Sequence, residues 1–154
     1  MRTNRSMPSA TVIPVLVYRD VAEAVEWLCG AFGFTERLRI GIHRSQLTIE
    51  DGSIVVAARV ARGSGVGSKK TVGVLRSREG ETSHSVMVRV PNVDRHFDRA
   101  EKHGAKILQP PADYPFGERQ YTAEDLGGHT WTFSQSIADV APEEWGGTVV
   151  TARR

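Results

Sequence analysis

Apolar positions along this chain alternate between two spacings. Residues 11–18 (TVIPVLVY) form a β-branched run of strand character, and from Val21 the interval lengthens, with Val21, Val25, Leu28 and Phe32 spaced four, three and four apart. That spacing lines one face of a helix. Asp20 with Glu23 three positions on is a capping-box pattern, in which a short carboxylate accepts from a backbone N–H that the first turn leaves unpaired. Gly33 supplies the left-handed stop. Three strands are predicted next, at 34–40, 44–50 and 53–59, with Asp51-Gly52 as a tight hairpin turn.

The pattern then lapses. From Val60 the chain carries Gly63, Gly65, Gly67, Gly73 and Gly80 among Ser, Lys and Arg, the composition of a flexible connector. Beyond it the first layout returns as a strand at 84–90, a cap at Asn92, a helix with Val93, Phe97 and Ala100, and a stop at Gly104. Strands at 106–108, 119–123 and 130–134 complete it. Asn92 lies 72 residues after Asp20, and Gly104 lies 71 after Gly33. The simplest reading is two tandem βαβββ modules, residues 11–59 and 83–135, joined by a Gly-rich connector at 60–82. A flexible N-terminus at 1–10 and a C-terminal tail at 136–154 flank them. One α+β domain with two similar helices is the alternative. One helix covers only one face of a four-stranded sheet, so the fold class expected is α+β with two curved mixed sheets enclosing a cleft.

Composition narrows the class of function. A chain of 154 residues, 40% hydrophobic and 25% charged, can bury a core and is expected to be globular. A net charge of +2 gives no basic stripe, so nucleic acid is not an expected partner. Cys29 is alone, which excludes an internal disulfide and any C-x-x-C metal or redox pair. No run approaches the roughly 18 apolar residues of a membrane span, and no targeting signal is visible; no membrane partner and a cytoplasmic location are expected. Walker, G-x-S-x-G and strand-linked G-x-G-x-x-G motifs are absent, and the GSGVG run at 63–67 has no helix to present phosphate.

The segment DLGGHTWTFSQ at 125–135 resembles the turn into the last strand of the vicinal oxygen chelate superfamily, with Leu126 where that pattern has proline. The openings VYRDVAEAVEWLCGAFGF and VRVPNVDRHFDRAEKHGA are similar to its strand-to-helix pattern, and Arg119 resembles an arginine that often precedes the turn. This superfamily contains glyoxalases, extradiol dioxygenases and bleomycin-resistance-type binding proteins, and the spacing is most similar to the last group. The resemblance implies paired sheets around a cleft. In metal-bearing relatives, His and Glu or Gln from the first and last strands of each module bind a divalent ion there. Carried over by position, those sites are Ile13, Val56, Ser85 and Thr132, none a strong donor, so no metal or other cofactor is expected. His84 and His129 stand off that register and are expected to point toward the helix layer or strand ends. A displaced ligand set of His43, His84 and His129 stays open.

Alternation from Ile13 and Ser85 would turn Val15 and Val17 inward with Met87 and Arg89, and would bring Ile54, Val56 and Ala58 beside Thr130, Thr132 and Ser134. Apolar walls with a few polar groups suit a small organic ligand. Arg89 could grip a carboxylate or phosphate or form a salt bridge. The segment QPPADYPFGERQY at 109–121 adds Tyr114, Phe116, Arg119 and Tyr121 on a proline-stiffened loop that would contact a ring-containing ligand or anchor itself to its sheet. Trp27 and Trp131 read as core, and Trp145 as a tail residue packed on a sheet edge or a second subunit. The expectation is a metal-free protein that sequesters a small hydrophobic or aromatic ligand such as a natural product or antibiotic. The competing reading is a lyase, isomerase or dioxygenase, with displaced metal ligands or with Arg89, Arg119 or Tyr121 as its working groups. Two half-covered sheets and a long connector also predict a homodimer.

Overall fold

Asp20 caps the first helix as the pattern predicts: its Oδ1 accepts from the backbone N–H of Glu23 at 3.0 Å, and Gly33 ends the helix with φ 82°. The second helix repeats the device, Asn92 Oδ1 accepting from Arg95 N at 3.1 Å and Gly104 following at φ 82°. These contacts belong to a computed structural model that describes residues 2–59 and 83–150. The connector assigned to 60–82 lies outside those residues.

The described elements run β1 (Val15–Tyr18), α1 (Val21–Phe32), β2 (Thr35–Ile40), β3 (Arg44–Ile49), β4 (Gly52–Ala58), β5 (Val86–Arg89), α2 (Val93–Lys102), β6 (Lys106–Tyr114), β7 (Glu118–Glu124) and β8 (Thr130–Ser136). A 3-10 turn follows at Pro142–Trp145. They form two four-stranded sheets of identical topology, β1-β4-β3-β2 and β5-β8-β7-β6, each with one parallel pair and two antiparallel pairs. The fold is therefore α+β, built from two tandem βαβββ modules.

The modules meet through their helices, α1 lying against α2. Phe32 sits fully buried at the junction, its ring centroid 4.7 Å from Phe133 and 5.4 Å from Trp131. Leu16, Leu28, Phe32, Ala100, Trp131 and Phe133 share one hydrophobic cluster drawn from both modules. Polar contacts seal its rim. Arg99 donates to the carbonyls of Gly30 and Cys29 at 2.7 and 3.0 Å, satisfying acceptors that the last turn of α1 leaves open. Trp27 Nε1 donates to His103 O at 2.9 Å. With helices and helix-facing strand residues on the inside, the opposite face of each sheet points outward.

One strand is longer than the sequence suggests. The proline-stiffened stretch read as loop is the second half of β6, which pairs with β7 as far as Tyr114 and shifts register between Gln109 and Ala112. Pro110 and Pro111 fall at that irregularity on the sheet's outer edge, where a missing N–H costs no ladder bond.

Candidate ligand-binding face

Register fixes which side chains look outward. In the first sheet, Val15 pairs with Val55 and Val17 with Ala57, so these four share the face away from the helix. Ile54 and Val56 lie on the helix side and are buried in the core, as does Ala58 by alternation, which corrects the parity expected for β4 by one residue. The run Ile54-Val55-Val56-Ala57-Ala58 is apolar on both faces, so it carried no contrast from which to read parity.

This first outward face is already covered. Gln46, opposite Val55, is buried and donates through Nε2 to Ser6 O at 2.9 Å, while Arg37 donates to Arg5 O at 2.7 Å and Pro8 is buried. The N-terminal segment thus lies over the side of the sheet that holds Val17, Val55 and Ala57.

The second sheet differs. Ser85, Met87 and Arg89 are exposed, and by register Thr130, Thr132 and Ser134 share their face with Thr122, Gln120 and Glu118. Met87 is 65% exposed. Around it the face is polar, where the sequence suggested an apolar wall: Thr122 and Thr132 hydroxyls stand 3.2 Å apart, and Ser134 Oγ donates to Glu118 Oε1 at 2.8 Å. Gln120 Nε2 donates to Ser134 Oγ at 3.0 Å. Arg89 Nη1 donates to Ser136 Oγ and to Glu118 Oε1, the latter at 3.3 Å, so it does form a salt bridge. Burial would raise the Glu118 pKa, but hydrogen bonds from Ser136 and Ser134 together with Arg89 outweigh it and hold the carboxyl below its usual range. Glu118, Gln120 and Ser136 were not foreseen. The signal was available in β7 alternation, because Tyr121 turned inward places Gln120 and Glu118 outward with Arg89.

A row of rings borders this face. Tyr114 pairs with Glu118 and therefore points to the same side. Phe116 stacks on Tyr114 at 5.4 Å and meets Trp145 at 5.5 Å, and Trp145 is 46% exposed. The tail that brings Trp145 there is held by Ile137 N and Ala138 N, which donate to Gly117 O at 2.8 and 3.2 Å.

Two residues expected in the cleft lie on the helix side instead. Tyr121 is buried, with its hydroxyl 2.6 Å from His96 Nδ1. Arg119 bridges Asp94 of α2 and Asp113 of β6 at 3.1 and 2.9 Å. Both belong to the odd-numbered positions of β7, whose inward parity is set by Ala123 opposite Trp131.

The donor set does not fit a chelated divalent ion. On the outward faces Val15, Val17, Val55 and Ala57 offer no lone pair, Ser85, Met87, Thr130 and Thr132 offer only weak ones, and the carboxylates of that parity are already engaged, Glu118 by Arg89 and Ser134 and Glu124 by Lys106. Among the described residues no three His, Cys, Asp or Glu side chains converge, so His43, His84 and His129 do not form a shared site. His43 lines a separate hollow with Arg19, Arg39 and Ile42, beside the start of α1. His129 is buried, 4.8 Å from the Tyr18 ring, and its Nε2 donates to Val17 O at 2.8 Å. No helix among the described residues is long and apolar enough to cross a membrane.

The paired βαβββ layout and the D-x-G-G turn define a known class. Residues 11–133 match the family model described as the Glyoxalase/Bleomycin resistance protein/Dioxygenase superfamily, and the chain belongs to that family. It is 34% identical to TioX from Micromonospora sp. ML1, whose crystal structure aligns over 84% of this chain and 100% of that one with a TM-score of 0.66. An uncharacterised protein of Mycobacterium bovis is 27% identical over 138 residues, 85% of this chain and 86% of the relative. The fold is shared with lactoylglutathione lyase from Agrobacterium tumefaciens, 14% identical with a TM-score of 0.58 over 84% of this chain and 96% of that one. It is also shared with the fosfomycin resistance protein FosX from Listeria monocytogenes, 17% identical with a TM-score of 0.58 over 84% and 94%.

Proposed function

We propose that this chain is a metal-free small-molecule binding protein that sequesters a hydrophobic or aromatic ligand on the outward face of its second sheet. The observation that carries this reading is Met87, a large apolar side chain left 65% exposed on the edge strand β5 of a hydroxyl-lined face whose opposite edge, β6, begins a row of three rings. An exposed thioether surrounded by polar anchors is the composition of a binding surface, because burying it contributes affinity while the hydroxyls fix orientation. Ser85, Met87, Arg89, Thr130, Thr132, Tyr114 and Phe116 form the contact set. A second copy closes over the face, making a homodimer.

A thermal-shift screen with aromatic natural products tests the reading. At least one compound raises the melting temperature, Met87→Asp abolishes the shift, and a chelator leaves it unchanged. Stoichiometric Ni, Zn, Mn or Fe in protein purified without chelator, with ligand binding lost on its removal, would overturn the metal-free reading in favour of the lyase, isomerase or oxygenase alternative. Sedimentation showing a monomer at micromolar concentration would remove the dimer from the proposal.

A further inference from the structure

Arg89 is held on one edge and open on the other. Its Nη1 engages Glu118 and Ser136, whereas Nε and Nη2 make no hydrogen bond among the described residues, and the side chain is 71% exposed. A guanidinium usually loses rotamer freedom when it binds a ligand; here the contacts to Glu118 and Ser136 have already fixed it. The open edge is a planar two-donor fork, which matches the two oxygens of a carboxylate.

The fork has an apolar neighbour of defined shape. Tyr114 is the cross-strand partner of Glu118, the residue that positions Arg89, and from Tyr114 the ring row continues through Phe116 to Trp145. Gln109 Nε2 donates to the Tyr114 hydroxyl at 2.7 Å, which fixes the ring at the head of the row. Met87 lies two residues before Arg89 on β5 and so shares its face.

We propose that the face selects a planar aromatic carboxylate, its acid group paired with the open edge of Arg89 and its ring laid against the Tyr114, Phe116 and Trp145 row. This rests on the binding function proposed above and names the ligand class that function takes. The Glu118 carboxylate does not exclude the acid, because its charge is turned to the Nη1 edge and shared with Ser134 and Ser136. Arg89 is then a specificity residue and the rings a general apolar support.

Isothermal titration of the full chain with 2-naphthoate and with its neutral isostere 2-naphthamide tests the assignment. The acid binds at least about tenfold more tightly than the amide, the scale of a charge-assisted pair. Arg89→Gln removes that preference and leaves amide binding in place; Arg89→Lys, which keeps the charge but not the fork, restores little of it. Trp145→Leu weakens both ligands alike. Equal binding of acid and amide, or a preference that survives Arg89→Gln, overturns this inference while the binding function stands. Failure of both compounds to bind also overturns this inference, while the thermal-shift screen decides the binding function on its own.

Discussion

The hydroxyl of Tyr18 donates to Oδ2 of Asp125 at 2.6 Å, joining the end of β1 in the first module to the turn before β8 in the second. Asp125 is buried and accepts three further bonds, from Trp131 Nε1 and from the backbone N–H groups of Gly127 and His129, each at 2.9 Å. Burial, then the charge of Asp125, push the Tyr18 pKa well above that of an ordinary tyrosine, so the hydroxyl remains a donor. Tyr18→Phe therefore lowers unfolding stability by about 1–3 kcal/mol, the cost of a buried carboxylate losing a partner. Asp125→Ala costs more, because four donors lose theirs together. Urea unfolding checks both, and an unchanged midpoint for Tyr18→Phe would show that the contact contributes nothing.

Gly127 is required by the same ring. A Cβ there would lie 2.7 Å from Tyr18 Cδ1 and 2.9 Å from Cε1, inside van der Waals contact. Gly127→Ala must displace a buried aromatic and is expected to cost about 1–3 kcal/mol. In Tyr18→Ala, which removes the obstructing ring, the same substitution has a smaller effect, so a double-mutant cycle reveals the coupling.

His96 makes stability depend on pH. Its Nε2 donates to Phe32 O at 2.8 Å, which leaves Nδ1 to accept from the Tyr121 hydroxyl at 2.6 Å. Burial, the largest cause, lowers its pKa from the usual 6.5, with Arg99 adding to the effect against the bond to Phe32. The folded state thus binds a proton less readily than the unfolded chain. This contribution is complete above the unfolded pKa and is lost as pH falls below it toward the folded value. Urea unfolding at pH 7.5 and pH 5 should show a smaller drop for His96→Asn than for wild type. Equal drops would assign the acid sensitivity to other groups.

Arg119 offers a contrast. Its ion pairs with Asp94 and Asp113 lie at the surface and are screened by water and salt. Arg119→Met should change stability by less than about 1 kcal/mol. Because its side chain sits on the helix side of β7, ligand binding should be unaffected. A clear loss of ligand affinity in this variant would move the site to the other side of the sheet.

Caps and spacing made most of the fold legible before any coordinates. Asp20, Gly33 and Asn92 each do what their chemistry predicts, and the helix offset exposed the duplication. Strand parity was legible only where polar and apolar residues alternate. The β8 segment Thr130-Trp131-Thr132-Phe133 declares its two faces, whereas the β4 segment Ile54-Val55-Val56-Ala57 does not, and Ile54 and Val56 were accordingly turned the wrong way. Arg119 and Tyr121, within the strand expected at 119–123, were grouped with the proline-stiffened rim and so turned toward the cleft, whereas strand pairing sends both to the helix layer. The polar surroundings of Arg89 stayed hidden for a different reason: Glu118 lies 29 residues away along the chain, and only the sheet brings the two together.

Duplication ordinarily doubles whatever a fold can hold, yet here the two halves are unequal in what they leave free. Gln46 spends its amide on Ser6, and the chain's own opening residues occupy the first of the two equivalent surfaces. A titration of this protein should accordingly saturate at one molecule per polypeptide, and trimming the leading residues is the change that would uncover a second vacancy.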